Sequence, residues 1–408
     1  MSLPKNVWRW AFYDFANSSY VLIFQAFLLP AFFSTILFAQ GYSLSAWGIA
    51  NGISTASGIL LAIILGKYAD KHNRLKIFKW IILTCFTGMA TMSLFAGAFA
   101  SGVFYLFIFT NCLFIASLSL SDSILPYVSN KSSSYEYSGF AWGFGYLGGI
   151  ASLIVVVILQ KLFSEYSPIV FLSVAIFYLC FSLYALNGLK DTPLNEPKDE
   201  NKKNIISKKQ KIYLLIGYWL ISESITVIIL FFSIFAAKEL GFSTFKIGIS
   251  LLFVQLIGFP ATWLGGKLTK RFNSVPLLGL SILLWGVVIA LMITNPNLVT
   301  FAFVVFFTGL TIGNSQSFLR AQYSTVINKS ESGYQFGIYA FISQAATSIG
   351  PIIYGLASDS LGSQKVPMIF LFVLMVIGFV IIWKVMSSVR PKFEALTPSP
   401  SAPTPRQK

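Results

Sequence analysis

The sequence predicts an all-α membrane protein: twelve transmembrane helices in two pseudo-symmetric six-helix halves. Three observations carry this reading. Of 408 residues, 56% are hydrophobic and only 11% charged, too few to cover a soluble domain. Residues 15–66, 80–121 and 272–319 hold no Lys, Arg, Asp or Glu. Short motifs recur about 200 residues apart.

A spanning helix takes about 20 apolar residues, so each uncharged stretch accommodates two helices and a tight turn. The turns are small and polar: AQGYSLS from Ala39, AGAFASG from Ala96 and TNPN from Thr294. Adding the single spans gives segments at roughly 11–37, 45–66, 77–99, 103–125, 138–160, 168–187, 212–236, 246–266, 275–293, 298–319, 335–357 and 366–386. A transmembrane strand barrel is excluded, because its segments alternate over about 10 residues.

With both termini cytoplasmic, all of the 29 Lys and Arg fall on the cytoplasmic side except Lys161, Lys238, Lys246 and Lys365. That asymmetry fixes topology. It also explains the net charge of +15 through contact with anionic headgroups of the bilayer, with no nucleic acid required. The first apolar run carries Asp14 and is too long for a signal peptide, so it is expected to stay as helix one. Cys85, Cys112 and Cys180 lie inside spans and read as small buried hydrophobes. His72, the single histidine, falls in a basic loop and is expected to be exposed. No metal site or cofactor is expected, and the absence of a phosphate-binding glycine loop argues against ATP hydrolysis or other enzymatic activity.

GKYADKHN at 66–73 is answered by GKLTKRFN at 266–273, NKS at 130–132 by NKS at 328–330, and GFAWG at 139–143 by GYQFG at 333–337. Both copies point the same way. The expected division is a first half at 1–187, a cytoplasmic linker at 188–211 rich in Lys, Asn and Pro, a second half at 212–389, and a disordered tail at 390–408.

Two parallel six-helix halves resemble the major facilitator superfamily. GKYADKHNRLK, from Gly66 to Lys76, resembles that superfamily's loop between helices two and three, which implies a cytoplasmic gate. Gly66 would permit close helix approach, and Asp70 and Arg74 would hold one conformer shut. The second copy has Lys270 in place of the aspartate, so the gate is expected to be asymmetric. YDFANSSY at the start, GFGYLGG at 143–149, GNSQSFLR at 313–320 and SIGPIIYGLASDSLGS at 348–363 resemble the vacuole-effluxer family, whose fungal members are autophagy-related amino-acid effluxers. Where its bacterial members usually have Asp-Gly in helix seven, this chain has Glu223-Ser224 in ISESITV.

On a regular helix Asp14, Asn17, Ser18, Val21 and Gln25 share one face. In the major facilitator arrangement that face lines the central cavity, and otherwise its short polar groups join helices by hydrogen bonds. Tyr13, Asn17, Ser18, Gln25, Thr226, Asn314, Gln316, Tyr339 and Gln344 are the candidate cavity residues. Glu223 stands near the middle of the seventh span, where an ionised carboxylate costs upward of about 2.5 kcal/mol. It is the first candidate for proton coupling, with a structural pair to Arg320 as the alternative. Asp14 is the second, with a cytoplasmic ion pair equally open, and Asp122 is expected at the interface. The glycines of helices five and eleven read as packing positions, and Gly350-Pro351 as a kink.

The functional expectation is secondary active transport of a small polar or zwitterionic solute, an amino acid first, by proton-coupled alternating access. It would work as a monomer in a bacterial inner membrane. An exporter of amphipathic compounds would use Phe24, Phe27, Trp142 and Tyr339 as a greasy lining. A non-transporting sensor or scaffold of the same fold is the other class.

Overall fold

The computed structural model describes residues 3–32, 44–96, 99–163, 167–190, 206–242, 244–294, 297–361 and 365–396. Twelve long helices make up nearly all of it. α1 begins as Lys5–Ser18, continues as a π-helical stretch, Ser19–Leu28, and closes with a turn, Leu29–Phe32. The others are α2 (Leu44–Ala69), α3 (Arg74–Ala96), α4 (Ala100–Asp122), α5 (Ser134–Leu162), α6 (Pro168–Gly188), α7 (Lys208–Leu240), α8 (Thr244–Leu268), α9 (Ser274–Thr294), α10 (Leu298–Val326), α11 (Ser332–Leu361) and α12 (Lys365–Leu396). Ten of these are long and apolar enough to cross a membrane. The chain is an integral membrane protein, and helices suit it because each satisfies its own backbone in hydrocarbon.

Their ends are built by local chemistry. At α7, Ser207 Oγ accepts from the Gln210 amide at 3.2 Å while Gln210 Oε1 accepts from the Ser207 amide at 2.8 Å, a reciprocal cap. The same helix stops at Gly241, whose φ of 61° only glycine adopts cheaply. Asn297 caps α10 through the amides of Val299 and Thr300, both at 3.0 Å.

The packing repeats with a period of six helices. α1 lies on α5 and α6, and α7 on α11 and α12; α4 lies on α2 and α3, and α10 on α8 and α9. Each half encloses its own apolar core, one around Trp10, Tyr178 and Phe114, the other around Trp285, Tyr218 and Tyr323. Between the halves, α2 meets α11 and α5 meets α8. This is the parallel two-fold architecture of major facilitator transporters.

Several expectations are corrected. On α1, Asp14 is buried, whereas Asn17, Ser18, Val21 and Gln25 of the same stripe stay partly or largely exposed. Asn17 and Ser18 both turn to Asp14, but the π-helical turns that follow change the angle per residue. Val21 is 43% exposed, and the half-buried Gln25 reaches Asn51 of α2 at 3.5 Å. Cys180 is exposed on the outer surface of α6, not buried. The tail is not wholly irregular, since α12 continues past Arg390 to Leu396. Most of the linker expected at 188–211 lies outside the described residues, as does 397–408.

Candidate functional site

At the end of the bundle that carries the basic loops, the first half is fastened to the second by Asp70. The α11 N-terminus leaves its first amides without helical partners. Asp70 takes two of them, Oδ1 accepting from Gly333 at 2.8 Å and Oδ2 from Tyr334 at 2.9 Å. Arg74, one turn on, donates to Asp70 Oδ1 at 2.7 Å and to Ser332 Oγ at 2.7 Å. It is fully buried, held by the Ser123 carbonyl at 2.8 Å and beside the Tyr127 ring. Burial pushes the Asp70 carboxyl above its ordinary range, opposed by the Tyr334 amide, Arg74 and the Gly333 amide. Gly66 lets α2 and α11 meet backbone to backbone, for a Cβ there would overlap the Gly333 carbonyl. Gly66, Asp70 and Arg74 thus come together as one latch.

The second copy is wired with the opposite charge. Lys270 could not face a positive helix end, and it pairs instead with Glu136 in the first turn of α5. Gly266 lies against the Tyr135 carbonyl and Gly139 against that of Thr262, as Gly66 lies against Gly333. Lys270 is 48% exposed, so this contact is more open to water and salt than the Asp70 latch.

A third contact gives Asp14 the ion pair that is one of its two expected roles, with a partner the sequence does not indicate. Arg320 of α10 is 2% exposed, and the groups it bonds to all belong to the first half. Nη1 donates to Asp14 Oδ2 and to Asp122 Oδ1, each at 3.0 Å; Nε donates to Ser138 Oγ and Nη2 to the Ser138 carbonyl, each at 2.9 Å. The rings of Trp10 and Trp142 lie 5.0 Å from the guanidinium carbon. Asp14 therefore sits in an ion pair and not on an open cavity wall, and Asp122 belongs to the same cluster and not to the interface. The signal available in the sequence was three charged residues inside or beside apolar runs. Nothing in their spacing showed that they meet.

Glu223 is 5% exposed, and Arg320 is not its partner. Its carboxylate lies beside the Trp219 side chain and the Gly350 backbone, without hydrogen-bond geometry to either, and among the described residues no cation pairs with it. A side chain at position 350 would occupy the place of Glu223 Oε1. Thr226 and Gln316 are partly exposed, and Gln344 is partly exposed with a polar partner. Tyr339 is buried, stacked on Tyr323 at 5.3 Å and close to the charges of Asp122 and Arg320. Other candidates are turned away. Tyr13 packs in the core of the first half, its hydroxyl 2.5 Å from Ser117 Oγ and its ring against Phe78. Ser18 donates to the Asp14 carbonyl and packs on Gly145. Asn314 donates to the carbonyls of Ala261 and Leu310, facing α8. Among the described residues no group of three His, Cys, Asp or Glu could hold a metal.

Comparison with known proteins agrees with this architecture. The vacuole effluxer Atg22 like family matches residues 44–391. The uncharacterized MFS-type transporter YxiO of Bacillus subtilis is 22% identical over 398 residues, covering 91% of this chain and 93% of its own. Autophagy-related protein 22 of Cryptococcus neoformans is 29% identical over 169 residues, 37% of this chain and 31% of the fungal one. Among solved structures, a bacterial homologue of the iron transporter ferroportin in its outward-facing state superposes with a TM-score of 0.73 at 13% identity, covering 94% of this chain and 98% of that one. The proton:xylose symporter XylE does so at 0.71 and 13%, over 93% and 95%. YxiO and both solved structures are named as transporters. With a family match across most of its helices and the major facilitator fold, the chain is an MFS-type transporter belonging to the vacuole effluxer Atg22 like family.

Proposed function

We propose that the protein is a proton-coupled secondary transporter of a small polar or zwitterionic solute, an amino acid first. It works as a monomer in a bacterial inner membrane, with both termini and the linker of 188–211 in the cytoplasm. The observation that carries the reading is Glu223: a buried mid-span carboxylate, on a helix facing α11, that among the described residues forms no ion pair and no hydrogen bond of good geometry. Such a group is cheapest neutral, and becomes cheap to ionise only when water or a solute reaches it. Alternating access supplies that change. The contacts of Asp70, Lys270 and Arg320 close the basic end, and their release would open Glu223 to the other side of the membrane.

Few charges and several amides and hydroxyls favour a small polar solute. The amphipathic reading is weaker, since Phe24 is fully buried, Trp142 attends Arg320 and Tyr339 stacks on Tyr323. In proteoliposomes an imposed pH gradient should drive amino acids uphill, and Glu223→Gln should abolish that drive while leaving exchange. Uphill transport unchanged in Glu223→Gln would overturn the assignment; hydrophobic cations competing where amino acids do not would transfer the function to amphipathic export.

A further inference from the structure

The Arg320 cluster holds one guanidinium against two carboxylates, and the groups that bond it or lie over it with a ring come from α1, α4 and α5. Most of the walls of this socket are fixed independently of α10, the exception being the Ser138 hydroxyl, which donates to the Ser317 carbonyl of that helix at 2.9 Å. Trp10 Nε1 donates to the Ser121 carbonyl at 2.9 Å, Trp142 Nε1 donates to Tyr146 Oη at 3.1 Å, and Asn17 approaches Asp14 Oδ1 at 3.4 Å. All of these partners are in the first half. When the halves rock apart at the basic end, Arg320 leaves with α10 and the socket remains assembled. Two partly buried carboxylates then face each other with no counter-charge, an arrangement that demands a cation or protons.

We propose that the vacated socket is a recognition site for the guanidinium head of a cationic solute, arginine being the simplest amino acid of that kind. Arg320 acts as the tethered occupant that replaces it when the basic end closes. The chemistry is already displayed by the plug. A planar fork finds two carboxylates, a hydroxyl and a carbonyl at its edge and two indole rings within cation–π distance. A solute entering from the basic side would compete with Arg320 and so be coupled to closure, since occupied and plugged states exclude one another. This deepens the proposed function and rests on its reading that the halves part at the basic end.

The test is chemical rescue in purified protein, which requires neither transport nor a pH gradient, so that failure of Glu223 coupling leaves it unaffected. Arg320→Ala should lose thermal stability and change its tryptophan emission. Millimolar methylguanidinium or arginine should restore both saturably, whereas equal sodium chloride or leucine should not. Asp14→Asn or Asp122→Asn in that background should weaken the apparent affinity about tenfold, the scale of one charge-assisted hydrogen bond. Equal responses to methylguanidinium and sodium chloride, or rescue untouched by Asp14→Asn, would overturn the site. Stabilisation of Arg320→Ala by acid alone would overturn it in favour of protons. Should Arg320→Ala not fold, Asp70→Asn leaves the socket intact and loosens the neighbouring latch. Arginine should then alter the emission of that variant and raise its open fraction at the basic end, and no response would overturn the proposal.

Discussion

Glu223 and Gly350 are matched across the α7–α11 contact: the carboxylate of one fills the space left by the missing side chain of the other. The acid is thus positioned by a glycine 127 residues away in sequence. Gly350→Ala should push the carboxylate aside at a cost of about 1–3 kcal/mol, the usual penalty of an overpacked core. Thermal unfolding should fall accordingly, and gradient-driven uptake should fall with it. Adding Glu223→Gln, which keeps the size of the side chain, should leave the stability loss in place. If Gly350→Ala unfolds and transports like the parent, the carboxylate does not occupy that space.

Asp70→Asn should leave insertion intact but loosen the basic end. Oδ1 can still accept from Gly333 and Arg74, while the amide nitrogen turns a donor onto the Tyr334 N–H. The loss of one charge-assisted contact, about 1.5–3 kcal/mol, falls on the closed conformer only. Disulfide crosslinking of cysteine pairs placed across α2 and α11 should show a larger open fraction. An unchanged fraction would remove Asp70 from the gate.

Gly66→Ala acts on the same seam by volume alone. Its methyl group meets a carbonyl that cannot rotate away, so closure and not folding should suffer. We expect a shift of roughly tenfold or more toward the open state, seen in the same crosslinks, and a parallel loss of transport. Near-parental crosslinking would mean that α2 and α11 close at a greater distance.

Lys270→Ala should be milder. Its partner Glu136 is buried but Lys270 is half exposed, and such pairs contribute about 0–1 kcal/mol. Its effect on the open fraction should shrink as salt rises, whereas that of Asp70→Asn should not. Equal sensitivity of the two variants would contradict the asymmetry between the latches.

These contrasts mark what the sequence discloses. Gly66, Asp70 and Arg74 could be singled out because the loop that holds them, GKYADKHNRLK, resembles the major facilitator loop between helices two and three. Glu223 was legible because an acid in the middle of an apolar span has no ordinary explanation. The Arg320 cluster was not, since its partners lie 306 and 198 residues away and periodicity reports only the face of a single helix. Tyr13 misled because its ring satisfies an apolar core while its hydroxyl finds Ser117, so position beside Asp14 implied no common face.

Asp70 and Arg74 reside on the same half, four residues apart, and their Gly333, Tyr334 and Ser332 partners are neutral. Opening this latch therefore carries no net charge from one half to the other. A full charge crossing the membrane field is worth about 2.3 kcal/mol per 100 mV, so the rocking of this seam is nearly silent to membrane potential. A steep dependence of turnover on voltage would then report other moving charge, that of Arg320 and Lys270 as they part from their carboxylates together with the cargo and the ion that travels with it.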